Sequence, residues 1–152
     1  MEELIYIFSI SFQISGAILL LFFSLSTKRE KVIKRFINKN IITKNFNGDL
    51  DYDIGEFKET YRTAYLNKLS FAFIAIGYLL GIFGKIGDKL YAFVGIIVNT
   101  SLLIGIAFGI SSLIVKYDKK ANKLITYEEI NKIGIDLNFE AINKEEIEEN
   151  FK

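Results

Sequence analysis

The chain has 152 residues, 51% of them hydrophobic and 24% charged, with a net charge of +1. It contains no histidine and no cysteine, which excludes an imidazole base, a thiolate nucleophile, disulfides and the usual zinc and haem sites. The near-zero net charge supplies no bulk attraction for nucleic acid, and the separation of apolar from charged residues excludes an ordinary water-soluble globule.

No Asp, Glu, Lys or Arg occurs in Leu4–Leu25, Leu69–Gly84 or Tyr91–Val115. A helix rises about 1.5 Å per residue, so crossing about 30 Å of hydrocarbon takes about 20 apolar residues. The first block has 22 residues and spans unaided, giving a first transmembrane helix within residues 1–26. The small-residue triplet Ser24-Leu25-Ser26 resembles a cleavage site. An acidic start (Glu2, Glu3) and an over-long apolar stretch argue against a cleaved signal peptide.

Residues 27–63 form a basic loop. Within it, Lys28–Ile42 is predicted to continue helically from the first span. Val32, Ile33, Phe36, Ile37 and Ile41 share one side, and Arg29, Lys31, Lys34, Arg35 and Lys39 occupy the rest. Such a basic amphipathic stretch beside a membrane is expected to lie in the head-group layer, with those cations on lipid head groups. Asn47-Gly48 breaks the pattern, and Asp49, Asp51 and Asp53 alternate like the start of an EF-hand loop. The glycine comes one place late and Thr60 stands where the twelfth-position Glu belongs, so a solvated acidic turn is expected and no metal is assigned. Glu56–Lys68 should lead helically into the second span.

Residues 64–115 read as a helical hairpin. The second block reaches spanning length only if extended back to Ala64, with Lys68 snorkelling to the head groups. The six-residue connection Lys85–Leu90 makes the two helices antiparallel neighbours. Gly77, Gly81 and Gly84 lie on one helical side and are expected to seat the third helix at Gly95 and Asn99. Gln13 and Asn99 should lie at similar depth, and a hydrogen bond between them is predicted. Ser101, Gly105 and Gly109 form a second small-residue series, about 120° around from Asn99 at 100° per residue, open to a helix of the bundle, a second copy or another subunit.

The tail, 116–152, is basic and then acidic. Thr126 with Glu129 predicts a capping box, with Gly134 ending the short helix. A further helix is expected over Phe139–Phe151, and the tail should fold against the oppositely charged first loop, dock a partner or stay mobile. Nine Lys and Arg lie in Thr27–Thr63 and two in Lys85–Leu90, while Lys116, Lys119, Lys120 and Lys123 open the tail. Basic residues stay in the cytoplasm, so the N-terminus is expected outside and the long loop and tail inside.

The fold expected is therefore all-α: an integral protein of the cell membrane with three transmembrane helices and short cytoplasmic amphipathic helices. No enzyme activity, cofactor or nucleic-acid partner is expected, since no nucleophile–base pair or phosphate-cradling loop is found. Two function classes remain. One is a structural or accessory subunit that binds partners through its spans and cytoplasmic segments. The alternative is a homo-oligomeric pore lined by Gln13, Asn99, Thr100 or Ser101, with apolar Leu102–Ile110 as a constriction. The partners expected are the lipid bilayer and either a second copy or another membrane subunit.

Overall fold

In the computed structural model, which describes residues 1–39, 42–44, 50–85 and 87–135, the chain is helical apart from one small antiparallel strand pair. Among the described residues three helices are long and apolar enough to cross a membrane: α1 (Glu2–Phe22), α3 (Ile54–Gly81) and α4 (Lys89–Tyr117). Shorter helices are α2 (Arg29–Ile37), α5 (Lys119–Asn122) and α6 (Tyr127–Lys132). Strands β1 (Thr43–Lys44) and β2 (Leu50–Asp51) pair with Thr43 opposite Asp51 and Lys44 opposite Leu50.

Aspartates start most of the helices after the first long one. Asp53 accepts from the backbone N–H groups of Gly55 and Glu56, and Asp88 from that of Tyr91 at 2.9 Å. Asp118 accepts from Lys120 N–H at 2.9 Å. Each side chain satisfies donors that the first helical turn leaves unpaired. The acidic turn around Asp53 thus has a local structural use. At α6 the Thr126 N–H donates to the Glu129 carboxylate in a capping box, and Gly134 follows with φ +72°, the left-handed conformation that closes a helix.

α3 has 28 residues and α4 has 29, so each is about 42–44 Å long at the usual rise. Both exceed a hydrocarbon layer of about 30 Å by about two turns. The charged first turns of α3 continue directly into its apolar part, as expected for Glu56–Lys68. Those overhanging turns form one wall of a small folded cap at the basic end of the molecule. Its core joins Val32, Ile33 and Phe36 of α2 to Phe57, Tyr61 and Ala64 of α3, with Ala121, Ile125 and Ile130 from the far end of the chain. Phe36 meets Tyr52 and Phe57 edge-on, at ring-centroid distances of 5.6 and 5.3 Å, and Phe57 meets Tyr61 at 5.3 Å. Edge-to-face pairs at these spacings favour one arrangement of the rings.

The cap corrects one expectation. The basic amphipathic stretch does not run on from the first span: α1 ends at Phe22, Phe23–Lys28 is non-helical, and α2 stops at Ile37. Its apolar side is buried against α3 and the tail, so protein occupies the surface assigned to the head-group layer. The reason is the set of aromatic residues on α3 and before it, which offers that side a better-packed partner than lipid.

A second core lies within the bundle, where Leu19, Leu66, Phe73, Leu103 and Ala107 are buried. Phe12 meets Phe73 and Phe23 meets Phe108, both edge-on, at 5.2 and 5.5 Å. The described tail, Lys119–Ile135, folds against the first loop. The helix expected over Phe139–Phe151, together with Ile41 and Asp49, lies outside the described residues.

Candidate functional site

The residues singled out from sequence fall in three places: a small-residue seam between helices, a clamp in the cap, and a groove where cap and bundle meet.

The seam joins α1 to α3. A Cβ placed on Gly16 would stand 2.7 Å from Ser70 O, and one on Gly77 would stand 2.7 Å from Ser9 O. One on Gly84 would stand 2.7 Å from Tyr6 Cα. Backbones this close leave no room for a methyl group. The spacing is seven residues on both helices, Ser9 to Gly16 and Ser70 to Gly77, and Gly84, expected inside the second span, continues it from the connection past the end of α3 at Gly81, so small residues recur on one antiparallel stripe. The Ser9 hydroxyl donates to Gly77 O at 2.8 Å across the seam, and the Ser70 hydroxyl donates to Leu66 O within α3.

This arrangement overturns two expectations. The Gly77, Gly81 and Gly84 side seats the first long helix and not the third. Gly81 likewise faces Ser9 and Gln13. Gly95 of α4 also meets α1, with Ile7 Cδ1 at 3.2 Å from where its Cβ would stand. Nor do Gln13 and Asn99 bond each other. Gln13 Nε2 donates to Ser9 Oγ at 3.3 Å, and Asn99 Nδ2 donates to Gly95 O at 2.9 Å, each one turn back along its own helix. A carboxamide can satisfy itself that way without a neighbour. The contact from α1 to α4 is made instead by Ser11, whose hydroxyl is shared between Ile7 O and Ile96 O. A Cβ on Gly105 or Gly109 would meet nothing within 4 Å among the described residues, which leave this side of the second small-residue series uncovered.

The clamp centres on Arg29. Its guanidinium meets Glu129 in a two-pronged pair, Nε to Oε1 at 3.0 Å and Nη2 to Oε2 at 2.9 Å. Its other donors reach the backbone carbonyls of Lys120, Lys123 (3.2 Å) and Leu124 (3.0 Å), and the cation lies 5.7 Å from the Phe57 ring centroid. Planar geometry and five fixed donors suit arginine to this task. The hydrogen bond from Arg29, aided by Lys123, holds the Glu129 carboxyl down at about 2 despite partial burial. The Arg29 side chain is 15% exposed and fully engaged, so it is not a head-group contact. Lys31, Lys34, Arg35, Lys39 and Lys68 are exposed.

Two grooves flank the Phe23–Lys28 linker. One, of about 570 Å³, is bounded by Ser24, Ser26 and Thr27 of the linker, Lys31 of α2, and Asn67 and Lys68 of α3, with Phe71 below. Asn67 Nδ2 donates to Leu25 O at 3.0 Å, pinning linker to helix, while Asn67 Oδ1 is buried with no partner among the described residues. The other, of about 430 Å³, carries Arg35 and Lys39 together with Glu56 and Glu59.

Sequence reasoning missed Gly16, the helix-joining serines and the Arg29–Glu129 pair. The seven-residue recurrence of Ser and Gly was the available signal for the seam. Among the described residues, no three His, Cys, Asp or Glu side chains are grouped to hold a metal. No family model, curated protein or solved structure matches the chain.

Proposed function

We propose that the chain is a multi-pass protein of the cell membrane, with three spans, its N-terminus outside and its cap in the cytoplasm, acting as a structural or accessory subunit. The observation that carries this reading is how its polar side chains are used. Asp53, Asp88 and Asp118 cap helices, Arg29 and Glu129 lock the cap, and the buried serines of the bundle tie helix to helix or to their own turns. The chemistry is spent on holding a shape. The basic balance of the long loop and the start of the tail supports the orientation. The side of α4 bearing Ser101, Gly105 and Gly109 suits a partner helix or a second copy, because small residues let backbones approach in lipid.

Two measurements test this. Cysteines at Lys34 and Lys85 in this cysteine-free chain should differ, the second labelling from outside intact cells and the first only after permeabilisation; the reverse pattern refutes the orientation. Light scattering in mild detergent should give a monomer or dimer. A homogeneous assembly of four or more copies would favour the pore over the accessory reading.

A further inference from the structure

The larger groove has the composition of an anion site placed at a lipid boundary. Lys31 and Lys68 bring two ammonium groups to it from different helices, and among the described residues neither makes an ion pair. Ser24, Ser26 and Thr27 add hydroxyl groups, and among the described residues no carboxylate lines the groove. Its neighbour differs on this point, since Glu56 and Glu59 line it together with Arg35 and Lys39. Position sharpens the contrast. Lys68 is the last charged residue before the charge-free stretch that begins at Leu69. Immediately beyond, Phe71 and Tyr78 are 58% and 67% exposed and stand two turns apart on the same side of α3. One end of the groove therefore attracts a phosphate, and the other continues into an apolar track.

We propose that this groove binds the head group of an anionic phospholipid, its phosphodiester held by Lys31 and Lys68 and an acyl chain laid along Phe71 and Tyr78. The proposal rests on the reading that α1, α3 and α4 span a membrane with the cap at head-group level. A free phosphate shares the charged half of this chemistry but has no use for the apolar track. Two cations without an acid disfavour a zwitterionic head group, whose ammonium would meet like charge.

The test uses the purified full chain in mild detergent, with short-chain phosphatidylglycerol binding followed by native mass spectrometry. Phosphatidylcholine of the same chain length and inorganic phosphate serve as comparators. A lysine at a membrane surface is worth about fivefold in affinity, so Lys31→Gln with Lys68→Gln should weaken phosphatidylglycerol binding about 25-fold. Lys34→Gln with Lys39→Gln, which removes the same charge outside the groove, should change it less than about twofold. Inorganic phosphate at equal concentration should leave the lipid bound.

Equal losses in the two double variants would overturn the proposal in favour of a diffuse basic surface. Phosphatidylcholine bound as tightly as phosphatidylglycerol would also overturn it, and so would displacement by inorganic phosphate, which would indicate a soluble-anion site. Alkaline washing of native membranes separates this failure from that of the underlying reading. A chain that washes off refutes the membrane assignment, whereas one that stays while lipid binding ignores Lys31 and Lys68 refutes the groove alone.

Discussion

Gly77→Ala probes the seam with the smallest possible addition. The new methyl would stand 2.6 Å from Gln13 Cγ, 2.7 Å from Ser9 O and 2.9 Å from Gln13 N. Two of those three atoms are backbone, so no rotamer change relieves the clash. α1 and α3 must separate by about 0.5–1 Å to restore ordinary contact distances of about 3.5 Å. That separation stretches the 2.8 Å bond from Ser9 Oγ to Gly77 O. Overpacking costs about 1–3 kcal/mol, and an interhelical hydrogen bond in a membrane protein contributes about 0.6 kcal/mol. Alanine returns about 1 kcal/mol through its better helix propensity. With backbone as the obstacle the overpacking term lies near its upper end, and the net destabilisation is about 2 kcal/mol. For a chain of this size that corresponds to a melting temperature lower by about 4–8 °C, read from helical ellipticity in mild detergent. Gly105→Ala is the matched control. Its Cβ meets nothing within 4 Å, so stability should hold or rise slightly. An unchanged melting curve for Gly77→Ala, or equal damage from Gly105→Ala, would refute the seam as the feature that sets helix approach.

Three further outcomes are expected. The Glu129 carboxyl is held at about 2, below its ordinary 4.5, so the ionised form favours the folded cap. That stability is complete above about pH 4.5 and is lost as pH falls toward 2; near-ultraviolet ellipticity of the cap tyrosines should follow it, and Glu129→Gln should weaken the cap at neutral pH and flatten this dependence. Phe36, fully buried in the cap, should cost about 3–5 kcal/mol when replaced by alanine, visible as faster tryptic cleavage around Lys34 while the spans stay membrane-bound. Cysteines replacing Ile7 and Gly95 should crosslink on mild oxidation, and absence of product would refute the α1–α4 register.

The three long helices were legible because runs without charge have few other uses, and the capping box at Thr126 and Glu129 and the stop at Gly134 were legible because their chemistry is local. The neighbours of each helix were harder. Periodicity places Gly77 and Gly81 on one side of α3, with Gly84 just past its end, but says nothing of which helix fills that side; the short Lys85–Leu90 connection pointed to α4, whereas the matching small residues Ser9 and Gly16 lie on α1. Gln13 and Asn99 looked like partners because they share a depth, yet each amide finds an acceptor on its own helix. The expectation that the apolar side of α2 rests on lipid failed for a related reason. Its apolar side was judged alone, although Phe57, Tyr61 and Ala64, at intervals of four and three inside a charged stretch, spell out a helical stripe that needed covering.

The carboxylate and the backbone carbonyls that hold Arg29 lie within Lys120–Glu129, with Glu129 one hundred residues later in the sequence. At a synthesis rate of about 5–20 residues per second, that distance is about 5–20 s of translation. Throughout that interval the guanidinium cannot be neutralised by Glu129, because Glu129 has not been made. Under the proposed orientation Arg29 therefore serves twice in succession. While α1 is being inserted it counts among the free positive charges that fix which way the helix points. Once residue 129 emerges, the same cation is withdrawn from that role and becomes the latch that closes the cap.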